Sequence, residues 1–125
     1  MRQRENDSGK VLGPLEAEVM EILWAADEPM TVRQLLERIN KRRKPPLAYT
    51  TVMTIMSRLV EKEILSRTKE GRGYVYEAAA SDPAAIAVRG VMRDFGDAAW
   101  AHFVDEARAD PEALRRLQRL LDEES

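Results

Sequence analysis

The residues of this 125-residue chain whose types and spacing could do chemistry are short and hydroxylated. Thr50, Thr51, Thr54 and Ser57 fall within two turns of a helical pattern, with Met53 among them and Arg58 next in sequence. Hydroxyls of this kind exchange hydrogen bonds with the polar edges of bases. The threonine methyls and the Met53 thioether can instead meet apolar groups such as a thymine methyl. A helix that enters the major groove of B-DNA needs small or hydrogen-bonding groups on its outward face, because only then does its backbone approach the base edges. Arg58, a turn deeper, would reach a phosphate or a neighbouring acid. Basic residues flank this face. Between Arg33 and Lys44 stand six of them (Arg33, Arg38, Lys41, Arg42, Arg43, Lys44) against one acid, Glu37, and Arg72 sits in the run Glu70-Gly71-Arg72-Gly73. Arg43 and Lys44 are expected to clamp the phosphate backbone, and Arg72 to meet an adjacent minor groove or phosphate. A basic run is also what a solvated helix C-terminus carries, favoured by the helix dipole. Its conjunction with the small-residue face and Arg72 favours DNA.

Other chemistries lack their residues. With no cysteine there is no disulfide framework, thiolate metal site or cysteine nucleophile. The single histidine, His102, leaves no His-rich metal site and few routes to general-base catalysis. Glu16, Glu18 and Glu21 have no histidine, lysine partner or Gly-rich phosphate loop to work with, and are expected to be solvated. Trp24, Trp100 and the methionines suit a core better than a ligand cage. No enzyme activity, metal or cofactor is expected. No apolar run approaches the ~18 residues of a membrane span and no signal peptide opens the chain, so a soluble, cytoplasmic protein without membrane contact of its own is expected.

The elements that must position these residues follow from local signals. Hydrophobic residues make up 44% and charged residues 34% of the chain, a balance that folds. The net charge of −2 hides an asymmetry: residues 1–80 carry 14 basic and 12 acidic side chains, residues 81–125 carry 6 and 10. Residues 1–12 are polar and expected to form a flexible arm. Gly13-Pro14 opens a helix with Leu15, Val19, Ile22 and Leu23 on its apolar stripe, stopped by Asp27-Glu28-Pro29. Thr31 and Gln34 have the spacing of a capping box. The helix they start buries Val32, Leu35, Leu36 and Ile39 and runs out in Lys41–Lys44 before Pro45-Pro46. A third helix covers Tyr49–Lys62, with Val52, Ile55, Met56, Leu59 and Val60 inward. Two β-prone runs around Gly71-Arg72 make a hairpin spanning residues 65–78, with Tyr74 and Tyr76 on one face. Asp82-Pro83 starts a helix expected to continue to about Ala107, in which Gly90 and Gly96 predict close approach or a kink. Asp110-Pro111 starts a last one. The apolar positions Val91, Phe95, Ala99, Phe103, Leu114, Leu117 and Leu121 are expected to bury against a second copy of the chain, since two helices in ~45 residues cannot bury themselves.

The opening Leu15-Glu16-Ala17-Glu18-Val19-Met20-Glu21-Ile22-Leu23-Trp24, the segment Pro29–Arg33, the stretch Ala48–Lys62, Gly71-Arg72 and Tyr76-Glu77 together resemble the penicillinase-repressor family (BlaI/MecI/CopY-like regulators). The resemblance covers residues 13–125. It implies a winged-helix repressor that dimerises through its C-terminal helices and binds a palindromic operator, with Thr51, Met53 and Thr54 at base edges and Arg72 in the wing. The family often has arginine or glutamine where Met53 stands, so the operator letters do not carry over. The resemblance also implies a membrane sensor protease as a partner, which cuts an Asn-Phe bond in the dimer helix. The matching dipeptide here is His102-Phe103, with histidine in place of asparagine. Metal sensing through C-terminal cysteines, used by a copper-responsive branch, is excluded by the absence of cysteine.

The expected architecture is therefore mainly α with a small β-hairpin: a flexible arm (1–12), a winged helix-turn-helix DNA-binding domain (13–80) and a helical dimerisation region (81–125). The expected function is that of a homodimeric, sequence-specific repressor bound to double-stranded DNA. The alternative is a winged-helix module for protein–protein interaction, docking through its acidic C-terminal part.

Overall fold

A computed structural model describes residues 9–41 and 43–124. Its elements, in chain order, are α1 (Pro14–Ala26), α2 (Val32–Asn40), α3 (Tyr49–Glu61), β1 (Leu65–Glu70), β2 (Gly73–Ala78), α4 (Pro83–Phe95), α5 (Asp97–Ala109) and α6 (Pro111–Glu124). The first compact unit ends at Ala87, inside α4, and the second begins at Val88.

Local chemistry explains where the first helices start and stop. The Gly13 N–H, left without a helical partner, donates to Glu16 Oε1 at 3.1 Å, and Pro14 fills the first helical position. α1 ends where Asp27 turns left-handed at φ 53°. Thr31 and Gln34 complete their box: the Thr31 N–H donates to Gln34 Oε1 (2.8 Å) and the Gln34 N–H to Thr31 Oγ1 (3.1 Å). α2 stops at Asn40, within the basic run and before Lys41. The loop beyond it is closed by the Asn40 amide, whose Nδ2 donates to the Leu47 carbonyl at 3.0 Å and whose Oδ1 accepts from the Leu47 N–H at 2.8 Å.

The core of the first unit gathers one face of every helix. Val19, Met20 and Leu23 from α1, Leu35 and Ile39 from α2, and Val52, Ile55, Met56 and Leu59 from α3 are buried. The hairpin is antiparallel, with Leu65 opposite Ala78 and Glu70 opposite Gly73. Its two-residue turn is Gly71-Arg72, with Gly71 at φ +62°, the conformation that a tight hairpin turn asks of its first central residue. At the other end Tyr76 is buried and exchanges two 2.8 Å backbone hydrogen bonds with Met30, which docks the hairpin on the segment between α1 and α2. The Trp24 indole N–H donates to the Ala80 carbonyl at 2.8 Å.

Two expectations require correction here. Leu12 does not belong to a flexible arm: it is buried in the core with Val11 packed beside it, because the polar segment ends in two apolar residues. Residues 9–11 are helical, and residues 1–8 lie outside the described residues. The helix expected from Asp82 to about Ala107 is two helices, α4 and α5. Gly96, at φ +54° and ψ −125°, takes a conformation closed to other residues and breaks it. At Gly90 the helix runs on, and an added Cβ would find only Arg93 Nη2, at 3.7 Å. Pro83 and Ile86 of α4 are buried. In the second unit α5 packs on α6. The Asp82 carboxylate accepts the Ala85 N–H (2.9 Å) and that of Asp110 the Glu112 N–H (3.0 Å), the capping role expected of both. Among the described residues no helix is long and apolar enough to cross a membrane, and no group of three or more His, Cys, Asp or Glu residues could hold a metal ion.

Candidate nucleic-acid interface

α3 is a helix with one face in the core and the other uncovered. Its buried positions Val52, Ile55, Met56 and Leu59 fix its rotation, which leaves Thr50, Met53, Thr54 and Arg58 exposed. Thr51 and Ser57 are half-buried at the margins of that face. Met53, 46% exposed, stands at its middle. No long acidic side chain interrupts the face before Glu61. The Thr54 hydroxyl donates to the Thr50 carbonyl at 2.9 Å, so its oxygen presents lone pairs outward and its proton is used within the helix.

Of the flanking cations, the structure separates those that are free to meet a ligand from those held by acids. Arg43, expected to clamp the backbone with Lys44, is half-buried and its Nη2 is paired with Glu18 on α1. Its Nε is buried without a hydrogen-bond partner. Lys44 is exposed, and Arg42 lies outside the described residues. Lys62, at the end of α3, pairs with Glu16 on α1 at 3.1 Å. The glutamates of α1 are therefore not simply solvated: Glu16 caps its helix and holds Lys62, Glu18 holds Arg43, and Glu21 is half-buried. The partners lie 46 and 25 residues apart, a pairing that no local pattern could have disclosed.

Arg72 sits exposed in the hairpin turn. Along the strands the antiparallel register puts Leu65, Arg67 and Lys69 on one face with Tyr74, Tyr76 and Ala78, and Thr68, Glu70, Val75 and Glu77 on the other. Tyr74 and Tyr76 share a face as expected but not a role. Tyr76 is buried, whereas Tyr74 is exposed with the Arg67 guanidinium over its ring. The sequence pattern placed Arg33 only within the basic run and did not single out Arg67. Each lies over a tyrosine, Arg33 over Tyr49 at 5.7 Å and Arg67 over Tyr74 at 4.6 Å from the ring centroid.

In the second unit, Val91, Phe95, Phe103, Leu114, Leu117 and Leu121 are all exposed within the single chain, Phe95 at 65% and Leu121 at 63%. Ala99, expected on the same face, is already buried. An apolar hollow of about 350 Å³ is lined by Val91, Phe95, Ala98, Ala99, His102 and Phe103. His102 and Phe103 lie exposed in the middle of α5.

The family model described as Penicillinase repressor matches residues 12–123. The Transcriptional regulator BlaI of two strains of Mycobacterium tuberculosis is 40% identical over 115 residues, a match covering 84% of this chain and 80% of that protein. Among solved structures, the complex structure of hsRosR-S4 is similar in fold with a TM-score of 0.53 at 11% identity, covering 97% of this chain and 95% of that one.

Proposed function

We propose, from the premise that this chain belongs to the penicillinase-repressor family, that it represses transcription as a homodimer bound to a palindromic operator. It is a DNA-binding transcriptional regulator with a winged helix-turn-helix, and not an enzyme. The observation that carries the finer reading is the outward face of α3: small and hydroxylated, on a helix preceded in the chain by the exposed Lys44 and followed by the hairpin. Thr50, Thr51, Met53, Thr54 and Ser57 meet base edges, while Arg58, Lys44 and Arg72 meet the backbone. The pairing with Glu18 makes Arg43 an anchor for the basic loop.

The homodimer is supported by the apolar residues of α4 to α6 that stay exposed among the described residues. A second copy that fills the hollow beside Phe95 and Phe103 relates two α3 helices by a twofold axis. They then enter successive major grooves ~34 Å apart, or a multiple of that, and the operator must be an inverted repeat. Derepression in the cytoplasm follows from a membrane sensor protease cutting at His102-Phe103, which detaches Phe103 and α6 from the interface. That bond lies within helix α5, so the segment must open locally before a protease can bind it. A chain that stays intact in induced cells overturns this part.

The test is selection of random duplex DNA by the purified chain at ~0.15 M salt. An enriched inverted repeat is the expected result. Binding that yields no enrichment and vanishes as salt rises overturns operator reading and leaves a winged helix used for protein contact.

A further inference from the structure

Two exposed arginines of the first unit each lie over a tyrosine ring. Arg33, in the first turn of α2, lies over the ring of Tyr49, the first residue of α3. Arg67, on β1, lies over the ring of Tyr74 on β2. Among the described residues no hydrogen bond or ion pair takes up either guanidinium, whereas Arg43 and Lys62 are paired with glutamates. A guanidinium stacked on an aromatic ring keeps its N–H fork available, and that fork matches a phosphate or carboxylate. Stacking also removes beforehand some of the rotamer freedom that a loose arginine loses on binding.

The surroundings select the anion. Arg67 shares its strand face with Lys69, while Glu70 and Glu77 lie on the opposite face, so one side of the hairpin is positive and the other negative. An anion therefore approaches the Arg67 side. Tyr49 directly precedes Thr50, which places the Arg33 guanidinium at the N-terminal edge of the uncovered α3 face. In a helix-turn-helix the helix before the recognition helix crosses the sugar–phosphate backbone at that edge.

We infer that Arg33 on Tyr49 and Arg67 on Tyr74 are preordered phosphate clamps, which hold the DNA backbone beside α3 and along the positive face of the wing. This rests on the DNA-binding reading above, and it adds a role for the two tyrosines as positioning residues.

Because phosphate contact is independent of sequence, the test needs no known operator. The full chain is titrated against a mixed-sequence duplex of about 30 base pairs, by fluorescence anisotropy, from about 50 to 200 mM salt. Arg33→Gln and Arg67→Gln, each present in both protomers of the dimer, are each expected to lower the slope of log affinity against log salt by about 1.8, the contribution of two neutralised phosphates. Tyr49→Leu and Tyr74→Leu are expected to weaken binding about three- to tenfold with the slope unchanged, since the charge remains and only its ordering is lost. Circular dichroism of each variant reports its fold, and Arg33→Lys and Arg67→Lys restore the slope where a glutamine variant is impaired. A slope that survives either glutamine substitution, while the parent chain binds, overturns the clamp at that arginine and leaves the DNA-binding reading intact. A parent chain with no salt-dependent binding overturns both.

Discussion

The Thr54 hydroxyl shows how a single side chain narrows what a recognition helix can read. Its proton is committed to the Thr50 carbonyl, so outward it offers an acceptor and a methyl group but no donor. It therefore suits an amino group, on cytosine N4 or adenine N6, or the methyl of thymine. Replacing Thr54 by Val keeps the branched shape and removes the acceptor. The expected outcome is a loss of about 1–3 kcal/mol of discrimination at one base pair, with affinity for non-specific duplex unchanged. Competition binding against single-base operator variants reads this directly. A uniform loss across all variants would place a different face of α3 in the groove. Residue identity alone picked out the α3 face, because buried and exposed positions alternate there with strict helical spacing. It did not disclose what the cations do: Arg43 and Arg33 belong to the same basic run, yet one is tied to Glu18 and the other lies over Tyr49.

Among the elements, α4 and α5 are where two glycines that look equivalent diverge. Gly90 is helical with room for a methyl group, and Gly96 sits at φ +54° between two helices. Gly90→Ala is expected to raise stability by up to about 1 kcal/mol, through the better helix propensity of alanine. Gly96→Ala is expected to lower it by about 1–3 kcal/mol, since alanine is strained there even with open space around it. Thermal unfolding of the two variants beside the parent chain should shift in opposite directions, and shifts of the same sign would mean that Gly96 does not set the break. Helix starts were legible in the sequence because capping is local: Gly13-Pro14, Thr31 with Gln34, Asp82-Pro83 and Asp110-Pro111 each act within four residues. The break at Gly96 was not, because an amphipathic stripe carries through it and only the backbone conformation distinguishes a kink from an interruption. The docking of Tyr76 on Met30 and the Asn40 clamp on Leu47 likewise depend on chain segments meeting in space.

For the molecule as a whole, charge and apolar surface are divided between the two units. The basic run, α3 and the wing lie in the first, and the uncovered aromatic and leucine side chains of α4 to α6 lie in the second. Placing a charge within the proposed interface should therefore separate association from DNA contact. Phe95→Glu is expected to give a monomer by sedimentation velocity and to reduce operator affinity about 10²–10⁴-fold, the advantage of two linked half-sites over one. The same chain ended after His102 is expected to behave alike. If that shortened chain remains a dimer, cutting at His102-Phe103 would not release DNA, and another switch would be required.

The two tryptophans fall one in each unit and in contrasting surroundings. Trp24 is half-buried with its indole N–H bonded to the Ala80 carbonyl, while Trp100 is 60% exposed and meets Phe103 edge-on, with ring centroids 6.3 Å apart. The chain thus carries two intrinsic optical reporters. The emission of Trp24 follows the integrity of the winged-helix core, and that of Trp100 follows whether solvent or protein lies against α5. With either one replaced by phenylalanine, the emission colour of the other records the fate of its own unit, without a label, in the same sample in which the two events are otherwise superimposed.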